Sequence, residues 1–409
     1  MKKVLFTFIL GLLISVTNIQ AQWTQIGQEI KGVSYDHLGW STSLSSDGSI
    51  LAVGANYKYV RIYKNIGGTW TQIGQDIEKE QSASRFGWSI SLSSDGTIVA
   101  IGIPFYNGIG TTSGRVKIYK NVGGVWTQIG QDIDGEAGSD NLGYSVSLSS
   151  DGTTVAIGIP YGYGNTIHSG YIRVFKNIDG TWTQIGQDID GEARGDKAGW
   201  SVSLSSDGSI VATSFPGNDE NGTDSGQVRV FKNIGGTWTQ IGQNIDGEEP
   251  LDLCGISVSL SSDGAVVAVS SVVSEGINGF GAGQVRVFKN IGGTWTQIGQ
   301  NIEGEDITSY LGWSVSLNSD GSIVATSAIY NSPSYIGVFK NIGGTWTKID
   351  NYIHESSGGR FGQSVSLNSD GSIVAIGAPS KFTNSKGSVK VFQNSSLKKP
   401  QNLSSKIKK

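Results

Sequence analysis

The sequence is poor in the residues that do chemistry. Its 409 residues include one cysteine (Cys254), one methionine (Met1), three histidines and seven prolines. A single cysteine excludes an intrachain disulfide framework and any thiolate metal cluster. His37, His168 and His354 fall in different parts of the chain, with neither metal-ligand nor Ser-His-Asp spacing around them. Charged residues make up only 16% and hydrophobic ones 37%, which excludes a disordered polyelectrolyte and a membrane bundle alike. No catalytic set, metal site or cofactor site can be assembled from these residues. What is plentiful is glycine: sixty residues, about twice the ordinary share.

Lys2 and Lys3 precede an apolar run from Val4 to Val16 and a polar stretch ending at Ala21. This is the layout of a secretory signal peptide over residues 1–21, cleaved after Ala21. The run is short for a bilayer span, and no later segment is apolar enough to be one. The expectation is therefore a secreted or cell-surface chain that is not inserted in a membrane after cleavage. Residues 22–409 carry 28 basic and 34 acidic side chains, a net charge of −6. The last fifteen residues, 395–409, hold five of those lysines and no acid, which leaves the body at −11. An acidic body argues against nucleic acid as a partner. The basic tail reads as a disordered end.

Internal repetition dominates the rest. Ser-Leu-(Ser/Asn)-Ser-Asp-Gly occurs seven times, with its aspartates at Asp47, Asp95, Asp151, Asp207, Asp263, Asp320 and Asp370. Trp-Thr-(Gln/Lys)-Ile also occurs seven times, from Trp23 to Trp346, at spacings of 47 to 57 residues. Such a period indicates propeller blades or a solenoid. Each period reads as four short strands. In the second they are Trp88–Ser94, Thr97–Ile101, Arg115–Lys120 and Trp126–Ile133, with Asp95-Gly96 and Gly123-Gly124 as hairpin turns. No segment past residue 21 has helical periodicity. Four antiparallel strands repeated seven times predict an all-β, seven-bladed β-propeller over residues 22–394.

The ends predict closure. The first Trp motif lacks a preceding third strand, and the last third strand, Ser388–Phe392, lacks a following Trp motif. The N-terminal strand is thus one position out of phase and can complete the last blade, an offset that a linear solenoid would not use. The Ser- and Gly-rich first strand suits the crowded axis, and the Trp-bearing fourth strand suits the wide rim. All eleven tryptophans belong to the repeat, including Trp40, Trp88, Trp200 and Trp313 ahead of first strands. All eleven are expected in the core rather than on a sugar-stacking surface.

Phe86-Gly87-Trp88, Asp95-Gly96-Thr-Ile-Val-Ala-Ile-Gly-Ile-Pro104 and Ser113-Gly114-Arg-Val-Lys-Ile-Tyr119 together resemble an FG-GAP repeat, the blade unit of the integrin α-subunit propeller and of many secreted bacterial proteins. Phe361-Gly362 and Gly377-Ala378-Pro379 carry both name-giving motifs in the seventh copy. The resemblance spans residues 22 to about 394, and it implies that ligands bind the face formed by the variable loops. Many such repeats hold calcium in an Asp-x-(Asn/Asp)-x-Asp-Gly hairpin. Here Ser43, Ser45 and Asp47 take those positions, too few carboxylates for that ion, so the hairpins are expected to be structural.

In an up-and-down blade the Ser-Asp-Gly and Asn-Ile-Gly-Gly turns share one face and are nearly identical between copies. The loops between strands two and three, and those leading to the next blade, share the other face and vary. The former carry aromatics: Tyr57, Tyr59, Phe105, Tyr106, Tyr161, Tyr163, Phe280, Tyr330, Tyr335 and Phe382. The latter carry acids, among them Asp134, Glu136, Asp190, Glu192, Asp246 and Glu248, which form either a solvated surface or an electronegative rim. The candidate ligand-binding residues are Phe105, Tyr106, Tyr161, Tyr163, Asn218, Asp219, Asn221 and Asp224, on loops of three consecutive blades. Cys254 is expected to be buried. The expected function is a monomeric, non-enzymatic binding module for an extracellular protein or glycan. The alternative is a carbohydrate-active hydrolase or lyase whose loop carboxylates converge on the axis.

Overall fold

The computed structural model describes residues 22–80, 85–276, 278–330, 333–355, 360–380 and 386–397. The expected signal peptide, Phe382 and the tail from residue 398 lie outside these residues. The rest is all-β: seven antiparallel sheets in a ring, with one short 3-10 turn, Ser395–Leu397, as the helical content of the described residues. Blade three is representative. Its strands, from axis to rim, are Ser145–Leu148, Thr154–Ile159, Tyr171–Ile178 and Thr181–Gln184. Strand two is buried along its whole length, as a β-branched run packed on both faces should be. Seven clusters of buried residues fill the gaps between blades, and each holds one tryptophan of the Trp-Thr motif.

The rim strand differs from expectation in one respect. It is broken in two: Thr181–Gln184 and Ile189–Asp190 both pair with the third strand, from either side of a kink. The kink is at Gly186, with φ of +76°. A Cβ there would lie 2.6 Å from Cδ1 of Trp238 in the next blade. Only glycine lets the chain turn outward and the tryptophan slide under it. The indole N–H of Trp238 then donates to the Ile185 carbonyl at 2.8 Å. The Gln187 side chain grips the backbone of the same tryptophan, accepting from its N–H and donating to its C=O. Tryptophan, glycine and glutamine of the motif therefore form one clasp between neighbouring blades.

At the axis the innermost strands have one edge paired in their own blade and the other turned toward the neighbour. Serine satisfies that second edge. The Leu92 N–H donates to Ser43 Oγ of the previous blade, Leu148 to Ser91, Leu204 to Ser147, and so on until Leu44 donates to Ser366, all at 2.9–3.0 Å. One turn below runs a second ring, made of backbone alone. Ser46 N–H donates to the Ser94 carbonyl, Ser94 to Ser150, and the series continues to Ser369, which donates back to Ser46 at 2.9 Å.

Thr24–Gln25 and Ile30–Ser34 form the two halves of the rim strand of blade seven, paired with Lys386–Gln393. The ring is closed by the N-terminal strand as the offset ends require. Trp23 is buried in the last gap between blades. The clasp is altered here, because Asp350 and Asn351 stand where other blades have Gly and Gln; the Asp350 carboxylate accepts from the Trp23 N–H at 2.8 Å. Trp23 and Ile30 each contribute on the order of 1.5–3 kcal/mol by burial. Deleting residues 22–30 is expected to lower the melting temperature by several degrees, and an unchanged melt would refute closure by this strand. Ser147→Ala strands the Leu204 N–H at the axis, with an expected loss of about 1–3 kcal/mol in urea unfolding and no change of fold.

Candidate functional site

The two faces are chemically different. On the face of the Ser-Asp-Gly turns each aspartate is consumed locally. Asp151 accepts from the Ser149 hydroxyl, the Thr153 N–H and the Thr153 hydroxyl, and the other turns repeat the pattern. Burial works against the charged form of Asp47, Asp95, Asp151, Asp207 and Asp263, but the converging donors outweigh it and hold these carboxyls below the usual aspartate range. These are locked turns, as the sequence suggests. A shallow hollow of about 180 Å³ at the axis on this face is floored by leucines such as Leu44 and Leu148 and edged by serines.

The opposite face carries a feature that sequence reasoning assigned wrongly. Trp40, Trp88, Trp200 and Trp313 are not core residues. Each is half-buried and belongs to none of the inter-blade clusters, whereas the seven tryptophans of the Trp-Thr motif are 3–8% exposed. They occupy one position of the repeat, the residue after the glycine that opens the innermost strand, so they stand around the axis. Blade three supplies Tyr144 there. Trp40, Trp88, Tyr144 and Trp200 follow one another around the mouth with ring centroids 4.8, 5.3 and 4.7 Å apart. Blades five, six and seven place Ile256, Trp313 and Gln363 at the same position. The sequence signal was the variation itself. Rim tryptophans are invariant across the copies, while this position runs through Trp, Tyr, Ile and Gln, as a surface position does.

Two expected ligand-binding residues join this arc. Phe105 meets Trp88 edge-on at 5.6 Å, and Tyr161 packs against Tyr144 and Trp200 at 6.0 and 6.4 Å. The other six do not. Tyr106 turns outward under the Arg115 guanidinium, 3.9 Å from its ring, and packs on an inter-blade cluster. Tyr163 is exposed and lines a separate notch of about 220 Å³ with Glu136, Asp140 and Arg173. Asn218, Asp219, Asn221 and Asp224 stabilise their own loop: Asn218 Oδ1 accepts from the Glu220 N–H, Asp219 Oδ1 from the Asp224 N–H, and Asn221 Nδ2 donates to the Gly247 carbonyl. Asn165 and Asn278 make the same bond as Asn221 in neighbouring blades, to Gly191 and Gly304. The loop is a repeated turn. Among the other aromatics of the variable loops, Tyr59 and Tyr335 are core, and Tyr57, Phe280 and Tyr330 are exposed.

Several acids of the connecting loops are neutralised in place. Glu136, Glu192 and Glu248 pair with the base at the third strand of the following blade, Arg173, Arg229 and Arg286 in turn, and Asp246 accepts from the Gln227 amide. Arg115 pairs with Asp132 and Asp134 as well as with Glu80. Buried aspartates, not singled out by the sequence reading, fold these loops. Asp140 accepts from the Glu136 and Ala137 N–H groups, Asp196 from Glu192 and Ala193, and Asp252 from Glu248 and Glu249. Burial pushes Asp140 and Asp252 up, against those bonds. Cys254 is fully buried, and burial raises its thiol. Among the described residues no group of three or more His, Cys, Asp and Glu side chains could hold a metal ion, and no helix is long and apolar enough to cross a membrane.

No protein-family model and no curated protein matches this chain. The assignment therefore rests on geometry. Beside Trp40 the arc opens into a pocket of about 230 Å³ lined by His37, Trp40, Asn56, Tyr57, Arg85 and Arg360. Arg85 bridges pocket and arc, its guanidinium 5.0 Å from the Trp88 ring and 4.4 Å from that of Phe105.

Two outcomes are expected. Acrylamide should quench the fraction of tryptophan fluorescence that belongs to Trp40, Trp88, Trp200 and Trp313, and changing all four to Leu should abolish the quenching while the melt stays cooperative. Acid should unfold the protein through the turn aspartates. Their folded values lie below the unfolded value of about 3.9, so the stability they contribute is complete above that pH and is lost as pH falls through the folded values. Asp140 and Asp252 act in the opposite sense at higher pH. Melting temperature should decline steeply below about pH 4, and Asp151→Ala should make the decline shallower; a melt that rises in acid would contradict this.

Proposed function

We propose that this chain is a non-enzymatic binding module, secreted or held at the cell surface, that recognises an extracellular protein or glycan at the axial mouth of its variable face. One observation carries the reading: four aromatic rings from four consecutive blades lie side by side, half-buried, around the opening. Aromatic groups not needed to fill a core gain most by covering the apolar part of a ligand. The resemblance to FG-GAP repeats supports the same face, because it implies ligand binding on the variable loops. The Lys2-Lys3 start and the apolar run after it support export.

The competing hydrolase or lyase needs two carboxyl groups free to act, some 5 to 10 Å apart, as a rough guide. Glu136, Glu192 and Glu248 are instead paired with arginines, and Asp140, Asp196 and Asp252 are buried loop caps. This arrangement favours binding over turnover.

The experiment is a glycan array and a protein pull-down with the purified chain, each followed by a turnover assay on whatever binds. Trp88→Ala and Trp200→Ala are expected to weaken the captured ligand by about thirtyfold each, an aromatic anchor being worth roughly 2 kcal/mol. Asp151→Ala, on the opposite face, is expected to leave affinity unchanged. Binding lost with Asp151→Ala and kept with both tryptophan changes would assign the ligand to the wrong face here.

A further inference from the structure

The position three residues before each axial ring residue is singular. In six blades it has a left-handed backbone: His37, Arg85, Asn141, Lys197, Leu253 and Tyr310 have φ of +50° to +58°. Leu253 and Tyr310 show that the position does not demand a charge, and non-glycine residues adopt this conformation at some cost. Yet blades seven, one and two, which are adjacent in the ring, place Arg360, His37 and Arg85 there. All three line the pocket beside Trp40.

These arginines differ from those on the third strands. Arg61, Arg115, Arg173, Arg229 and Arg286 are all paired with carboxylates. Among the described residues Arg85 and Arg360 have no carboxylate partner, and no Asp or Glu lines their pocket. In a body of net charge −11, this is a local concentration of unneutralised cation. Asn56 lines the same cavity as a buried amide, 2% exposed, and adds no charge to it.

The pocket thus combines two arginines for an oxyanion and an indole wall continuous with the aromatic arc. We propose that it takes an acidic sugar unit of a glycan: a pyranose whose carboxylate or sulfate meets Arg85 and Arg360 and whose apolar face rests on Trp40. A guanidinium presents paired donors that match an oxyanion, which a neutral sugar lacks. The cavity of about 230 Å³ is below the usual size of a small-molecule site, so it holds a single ring, and the rest of the glycan runs along Trp88, Tyr144 and Trp200. The inference rests on the binding reading above and adds the ligand's class to it.

The test is calorimetry on the full chain with three matched probes: a galacturonate trisaccharide, its fully methyl-esterified neutral form, and a 6-sulfated galactose trisaccharide. At least one acidic probe is expected to bind ten or more times tighter than the ester, and the tighter of the two names the oxyanion. Arg85→Gln and Arg360→Gln are each expected to weaken that probe about tenfold or more while leaving the ester's affinity unchanged. Arg360→Glu, at a partly exposed position, reverses the charge and should abolish acidic binding in a protein that melts normally. If ester and acids bind equally, and Trp40→Ala weakens all of them, the acidic-sugar inference is overturned while the binding reading stands. If no probe binds, the inference is overturned; if the array and the pull-down also capture nothing, the binding reading falls with it.

Discussion

The structure depends on how the innermost strands satisfy their second edge. A strand at the end of a sheet carries unpaired N–H groups, which are costly when buried and promote association when exposed. In this chain seven such edges meet at the axis, close enough for a side chain of one strand to reach the backbone of the next. Serine answers both problems. Its hydroxyl accepts the leucine N–H of the adjoining blade at 2.9–3.0 Å, and it is small enough for the strands to approach. The ring of serine backbone bonds beneath it runs through all seven blades and closes from Ser369 to Ser46. At the rim the N-terminal strand completes the last blade and closes the ring a second time.

Moving outward, the same interface is held by progressively larger groups. Serine hydroxyls hold the axis, aliphatic clusters the middle, and tryptophan clasps the rim. Ion pairs between a connecting loop and the next third strand add a further link on the variable face. Every one of these contacts runs between neighbouring blades, so each blade is bound mainly through its two flanks, and the faces are left free to vary. On the Ser-Asp-Gly face that freedom is unused, because turn aspartates lock each hairpin identically. On the other face it produces the aromatic arc in blades one to four and the basic pocket where blades seven, one and two adjoin.

Much of this was legible in the residues. The number of blades, the strands of each, the closure by Trp23 to Ile30 and the inner place of the serine-rich strand follow from repeat counting and from period-two patterning. The rim strand's kink was not, because a Gly inside Trp-Thr-Gln-Ile-Gly-Gln reads as an ordinary weak point until the next blade's indole is seen beneath it. Phe105 and Tyr161, read as loop aromatics, are the two candidates whose rings join the arc. The local bonds of Asn218 to Asp224 were not legible, because a cluster of oxygen atoms looks the same in a sequence whether those atoms face a ligand or their own backbone.

The sequence by itself determined the architecture, since repeats of one pattern can bury their apolar faces only against copies of themselves, and the offset ends leave one way to finish the ring. The tertiary structure alone brought the residues of the candidate site together. Arg360 and Arg85 are 275 positions apart in the chain, and nothing local pairs them. They line one pocket because ring closure places blade seven beside blade one, with blade two next in order. The same closure gives Trp40 a different role from Trp70 thirty residues later. Both are tryptophans of the repeat, but one stands at the axis where blades crowd and side chains are turned out onto the face, and the other at the rim where a gap must be filled.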